Sequence, residues 1–135
     1  MSPNASASIT IIIPAYQAEG YLTRALESVA TQSVPDWELI VVDDGSHDGT
    51  LALAQRHAAR DPARMRVLAQ ANAGPAAARN RGMAEARGEY VLFLDADDAL
   101  MPDALECLRQ DLRAHGPVDF LFGGHAVVRL DGSRR

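Results

Sequence analysis

Four short apolar runs, each with a helical pattern behind it, narrow the fold of this chain more than any other feature. ITIIIPAY (Ile9 to Tyr16) is β-branched and almost wholly apolar, which suits a strand covered on both faces and closed by Pro14. Tyr21 to Thr31 follows, with Leu22, Ala25, Leu26 and Val29 at helical spacing. WELIVVDDGS (Trp37 to Ser46) repeats the strand pattern, and HDGTLALAQRHAAR places Asp48 to cap a helix carrying Leu51, Leu53, Ala54 and Ala58. MRVLAQ (Met65 to Gln70) is a third strand, after which Gly74-Pro75 opens an alanine-rich helix that Gly88 is expected to end. EYVLFLDADD is the fourth. Pro102 falls in the first turn of a helix whose Ala104, Leu105, Leu108 and Leu112 face inward, with Gly116-Pro117 as its stop. DFLFGGHAVVRLDGSRR suggests one or two further strands and a turn at Asp131-Gly132. The alternation predicts an α/β fold, a mostly parallel sheet wrapped by helices through right-handed crossovers.

Composition removes several function classes. A chain of 135 residues, 47% hydrophobic and 23% charged, fits one globular domain. Its net charge of −5 and scattered arginines leave no electrostatic footprint for nucleic acid. All thirteen basic residues are arginine, which excludes a P-loop lysine, a Schiff-base lysine and a lysine general base. Cys107 stands alone in a helical pattern and reads as a buried structural thiol, as expected of a reducing compartment. No run reaches the roughly 18 apolar residues of a membrane span, and Met1 to Ser8, read as a flexible N-terminus, is unlike a signal peptide. These features predict a cytoplasmic protein.

In parallel sheets ligands bind outside the carboxyl ends of the strands, and the unusual residues fall there. Pro14-Ala15-Tyr16 follows the first strand, Asp43-Asp44-Gly45-Ser46 the second, Asn72-Ala73-Gly74 the third and Asp95-Ala96-Asp97-Asp98 the fourth. Three carboxylates at one buried strand end repel one another unless a positive group sits among them. Asp95, Asp97 and Asp98 offer hard oxygen ligands for Mg²⁺ or Mn²⁺, ions usually held by one or two carboxylates plus substrate phosphates. A helix cap and solvated turn would account for Asp98 or Asp103 but poorly for all three.

Asp44 has two readings. It can accept from a base N–H or a ribose hydroxyl, or it can belong to a turn made with Gly45, Ser46, Asp48 and Gly49. Tyr16 can stack on a base or pack. Arg79 and Asn80 lie about one turn into a helix whose N-terminus meets the same rim, so Arg79 can fork to phosphate or pair with an aspartate. Arg81 and Arg87 are expected on solvated faces. His47, His57, His115 and His125 have no zinc spacing and read as structural or surface residues.

ITIIIPAYQAEGYLTRALESVATQSVPDWELIVVDDGSHDGT followed by NAGPAAARNRGMAEARGEYVLFLDADDAL resembles the nucleotide-sugar-binding half of the family 2 inverting glycosyltransferases, over about Ile9 to Gly132. The resemblance implies a Rossmann-like GT-A fold, a three-layer sandwich with helices on both faces, spanning residues 9–135. It implies that Pro14, Ala15 and Tyr16 line a nucleoside pocket and that Asp44 binds the base, usually uracil. Arg79 and Asn80 would lie beneath the sugar-nucleotide. Asp95-Ala96-Asp97 would be the DxD motif, with Asp97 the direct ligand of Mn²⁺ or Mg²⁺, Asp95 oriented toward sugar or ribose, and Asp98 contributing through water or hydrogen bonds. The implied reaction is hexosyl transfer, with inversion, from a nucleotide-diphosphate sugar, expected to be a UDP-sugar, to a saccharide or lipid-linked acceptor in cell-envelope polysaccharide biosynthesis, at the inner face of the membrane in a full-length protein.

The family's general base, an aspartate or glutamate, lies well beyond the DxD, and nothing after Asp98 matches it; Asp119 and Asp131 look like strand-edge and turn residues. The chain therefore reads as a truncated, donor-binding part, expected to be inactive alone, with a non-catalytic UDP-binding module as the alternative. A phospho-receiver domain would need its acidic pair after the first strand and a lysine after the last. A nucleotidyltransferase would need a glycine-rich basic loop after strand one. Neither pattern is present.

Overall fold

The structure, a computed structural model, describes residues 9–115, 120–122 and 126–129. The four apolar runs form β1 (Ile9–Ala15), β2 (Trp37–Asp43), β3 (Met65–Ala69) and β4 (Tyr90–Phe93), and between and after them lie α1 (Leu22–Ala30), α2 (Thr50–Ala58), α3 (Pro75–Glu85) and α4 (Ala104–His115). β5 (Phe120–Phe122) and β6 (Ala126–Arg129) follow. The expected segment 1–8, the Gly116-Pro117 stop, Asp119, His125 and the Asp131-Gly132 turn lie outside the described residues.

The sheet runs β3-β2-β1-β4-β6-β5, with β1 to β4 parallel and β6 antiparallel to both of its neighbours. From β1 the chain steps outward to β2 and β3, then returns to the other side of β1 for β4. Right-handed crossovers in opposite directions place their helices on opposite faces. On one face, Ile9, Ile11, Ile13, Leu39 and Val41 pack with Leu22, Leu26 and Val29 of α1, Ala54 of α2 and Leu105 and Leu108 of α4. On the other, Ile12 and Val91 meet Met83 and Ala86, and Ile40 and Val42 meet Ala78 of α3. Burial on both faces is why β1, β2 and β4 carry near-continuous apolar runs rather than an alternation.

Pro14 does not close β1; the strand continues to Ala15, paired with Asp43. Its pairing with β4 ends at Ile12–Phe93, with one further bond from Leu94 N–H to the Ile12 carbonyl. Pro14, two residues on along the same edge, therefore has no ladder donor to lose. α3 ends at Glu85 rather than running to Gly88, because a buried polar knot takes the chain out of the helix. Thr10 Oγ1 donates to Glu38 Oε2 at 2.7 Å, Arg87 N–H donates to the same oxygen at 2.6 Å, and Gly88 N–H donates to Thr10 Oγ1 at 2.9 Å. This knot sits at the strand starts, away from the rim.

Cys107 corrects an expectation: it is exposed. It lies two residues after buried Leu105, about 200° around the helix, and so faces away from the Leu105–Leu108 stripe. Nearby Asp103 pushes its thiol above the ordinary value, with Asp111 and Glu106 adding to the effect.

α3 can approach β1 closely because residue 82 is glycine: a Cβ there would stand 2.7 Å from Ile12 Cγ2, on a side chain with no exposure. Gly82→Val is expected to lower stability by about 2 kcal/mol through overpacking, read as a lower urea midpoint; an unchanged midpoint would mean that this contact is not tight.

Candidate functional site

Strand order reverses between β1 and β4, and ligands of open parallel sheets bind beyond the carboxyl ends of the strands at such a point. Four loops reach this rim, and three are tied together. Asp44 N–H donates to the Ala15 carbonyl at 2.9 Å, extending the β1–β2 ladder into the loops. Gln17 N–H donates to Ser46 Oγ at 2.9 Å, and Gln17 Oε1 accepts from His47 N–H at 2.6 Å. These bonds hold Gln17 at φ +51°, a left-handed conformation that a non-glycine residue adopts at a cost of about 1 kcal/mol or more. Two residues on, Glu19 Oε1 accepts from Gly49 N–H, and Ala18 N–H donates to Thr50 Oγ1. Asp48 is not the cap residue that the sequence suggests; Gly49 is, and Asp48, one residue before it, accepts from Thr50 N–H at 3.0 Å.

The third loop is gathered by Asp44. Its side chain is buried, and both oxygens accept twice: Oδ1 from Gln70 Nε2 and Ala73 N–H, each at 2.9 Å, and Oδ2 from Gly74 N–H at 2.9 Å and Asn72 Nδ2 at 3.2 Å. Burial alone pushes this carboxyl up. The bonds from Gln70, Ala73 and Gly74 together outweigh it and hold the group below its ordinary value. Two glycines make the arrangement possible: Gly45, at φ +78°, lies where a Cβ would be 2.7 Å from Asn72 N, and Gly74 turns into α3 at φ +101°. Asp43 is different. Its Oδ2 accepts from Ser46 N–H at 3.2 Å, while its buried Oδ1 has no partner.

The fourth loop carries the acids. Leu94 and Ala96 are buried while Asp95, Asp97 and Asp98 are exposed, so the turn turns its apolar residues inward and its carboxylates outward. Asp98 N–H donates to the Asp95 carbonyl at 3.0 Å, and carboxylate oxygens of all three lie within 4.8 Å of one another. Three hard oxygen donors at this spacing fit a divalent cation. Arg79 Nη2 stands 3.8 Å from Asp95 Oδ1 with both side chains partly exposed, so α3 delivers its arginine to the acidic turn in a loose pair.

The remaining expected residues divide. Tyr16 is 48% exposed at the end of β1 and available for stacking, whereas Ala15 points into the core and Pro14 is half-buried. Asn80 is exposed on α3, next to Arg79. Arg81 and Arg87 are exposed, as expected. Gln17 and Gln70 were invisible to sequence reasoning, since glutamine in a loop carries no motif.

Three comparisons bear on this site. A family model described as glycosyl transferase family 2 matches residues 10–131. A Bacillus subtilis (strain 168) protein provisionally named a teichuronic acid biosynthesis glycosyltransferase, TuaG, is 37% identical over 125 residues, 93% of this chain and 49% of that protein. The chain thus spans about half the length of this relative. TarS 1-349 of S. aureus, solved in complex with UDP-GlcNAc, superposes with a TM-score of 0.75 at 34% identity, covering 80% of this chain and 32% of that one. The mannosyltransferase PcManGT from Pyrobaculum calidifontis, solved with GDP-Man and Mn2+, has a TM-score of 0.75 at 23% identity over 90% of this chain and 44% of its own, which bears on the fold alone. These neighbours establish the α/β fold as that of the GT-A glycosyltransferases.

Asp44 also predicts a pH dependence. Because its folded value lies below the ordinary 3.8, the stability it contributes is complete above that value and is lost as pH falls through the folded one. In urea titrations, Asp44→Asn is expected to be less stable than wild type at pH 7, with the gap closing below about pH 4. A gap that stays constant with pH would show that the carboxylate charge is not what holds the loop.

Proposed function

The chain belongs to glycosyl transferase family 2, and from that premise we propose that it binds the nucleotide-diphosphate sugar, with uridine diphosphate as the nucleotide part, for transfer of the sugar to an acceptor hydroxyl with inversion. The observation that carries this reading is the convergence at one strand-order switch of the Asp95, Asp97 and Asp98 carboxylates, Arg79 and an exposed Tyr16. The UDP-GlcNAc complex of TarS supports the choice of nucleotide. The name of the B. subtilis relative supports a saccharide acceptor in cell-envelope polysaccharide synthesis.

In this reading Tyr16 stacks on the base at the end of β1. Asp44 holds the loop of Gln70 to Gly74 as the wall of the base pocket, and can accept from a base N–H in exchange for its longest bond, that from Asn72. Arg79 leaves its loose pair with Asp95 to fork onto phosphate oxygens, and Asn80 beside it hydrogen-bonds the donor. Asp97 would hold Mn²⁺ or Mg²⁺, with Asp95 and Asp98 completing the acidic side and Asp95 also facing the sugar or ribose. When bound, the cation would supply Lewis-acid neutralisation of a diphosphate leaving group. Asp44 is thereby committed to its loop and the acidic turn to the cation, so we assign the acceptor's general base to neither.

Calorimetric titration of uridine diphosphate is expected to give binding with Mn²⁺ present, at least about tenfold weaker binding with chelator, and the same loss for Asp97→Ala in Mn²⁺. Binding insensitive to both the chelator and the substitution would contradict the assignment of the acidic turn.

A further inference from the structure

The acidic turn is exposed, yet a cation that demands near-octahedral oxygen geometry needs carboxylates held in place. On its upstream side the turn is fixed by the sheet, through buried Leu94 and its N–H to the Ile12 carbonyl. What fixes the downstream side is two polar side chains at the end of α1: Ser28, in its last turn, and Gln32, two residues past its last helical residue. Ser28 Oγ donates to the Ala25 carbonyl at 2.7 Å and accepts from Leu100 N–H at 3.0 Å. Gln32 Nε2 donates to the Ser28 carbonyl at 2.9 Å and to the Met101 carbonyl at 2.7 Å, and its Oε1 accepts from Leu105 N–H at 3.0 Å.

Gln32 therefore joins three backbone groups: the end of α1, the segment leaving the acidic turn and the first turn of α4. A primary amide is the one uncharged side-chain group with donors and an acceptor suited to this task at once. Leu100, bonded to Ser28, is buried two residues after Asp98. The carboxylates are thus suspended between two fixed points only six residues apart, Leu94 and Leu100.

We infer that Ser28 and Gln32 are positioning residues for the cation-binding carboxylates Asp95, Asp97 and Asp98, acting through the backbone of Leu100, Met101 and Leu105. The inference rests on the proposed role of the acidic turn in binding a cation. No contact of either residue with donor is invoked: both act from the α1 side, through residues that follow the acids.

The test is Mn²⁺ titration followed by electron paramagnetic resonance of the free ion, on wild type, Asp97→Ala, Gln32→Ala, Ser28→Ala and Ser28→Thr, each first shown to be folded by circular dichroism. Uridine diphosphate binding without metal is measured in parallel. Gln32→Ala and Ser28→Ala are expected to weaken Mn²⁺ by about tenfold while leaving metal-free nucleotide binding within about twofold, and Ser28→Thr, which keeps the hydroxyl, to restore wild-type affinity. Folded Gln32→Ala and Ser28→Ala proteins with unchanged Mn²⁺ affinity overturn the positioning role alone. Equal losses of metal and nucleotide binding also overturn it, in favour of general loosening of the fold. A wild type that binds no Mn²⁺, or binds it as well after Asp97→Ala, overturns the cation reading and this inference with it. Should Gln32→Ala not fold, the Ser28→Ala and Ser28→Thr pair decides.

Discussion

A carboxylate withdrawn from water at the end of a strand must find donors nearby, and at Asp44 it finds them in a loop 26 to 30 residues further along the chain. Both oxygens are filled by Gln70, Asn72, Ala73 and Gly74, and the Asp44 N–H is spent on the Ala15 carbonyl. One residue thereby joins the exits of β1, β2 and β3. The start of α3 is placed by the same bonds, and with it Arg79. Two glycines with positive φ, Gly45 and Gly74, let the backbones come close enough for this to happen.

The sheet supplies the other half of the arrangement. Because β4 returns beside β1 on the side away from β2, the acidic turn lies on the other side of β1 from the loops that Asp44 gathers. The rim is thus electrostatically divided: Asp44 is a negative charge already satisfied by its own chain, while Asp95, Asp97 and Asp98 are exposed and have one loosely held arginine near them. Only the second group retains capacity for a ligand of opposite charge. That division suits a ligand whose base end is recognised by shape and hydrogen bonds and whose diphosphate end is recognised by charge.

The strand and helix order was legible because apolar β-branched runs and helical spacing are local properties, and both survive in β1 to β4 and α1 to α4. The acidic cluster was legible for the same reason, being contiguous. What was not legible depends on distant partners. The two sequence readings of Asp44, base acceptor or local turn, both missed the bonds from the loop after β3, because no spacing rule links residue 44 to residues 70–74. The early end of α3 follows from Thr10 and Glu38, far away in the chain. Cys107 reads as a core residue because its helix is apolar in pattern, but the pattern's phase, set by Leu105 and Leu108, turns it outward. Ser28 and Gln32 carry no sequence motif, because their partners Leu100, Met101 and Leu105 lie 69 to 73 residues further along the chain.

The most direct test of the account is a map of backbone amide shifts in ¹⁵N-labelled protein as uridine diphosphate and Mg²⁺ are added. The gathered rim predicts perturbations confined to Ala15 to Gln17, Asp44 to Ser46, Asn72 to Asn80 and Asp95 to Asp98, with the polar knot of Thr10, Glu38 and Arg87 unmoved. Shifts centred on that knot, or on the outer faces of α1 and α2, would contradict it and place the ligand elsewhere on the fold.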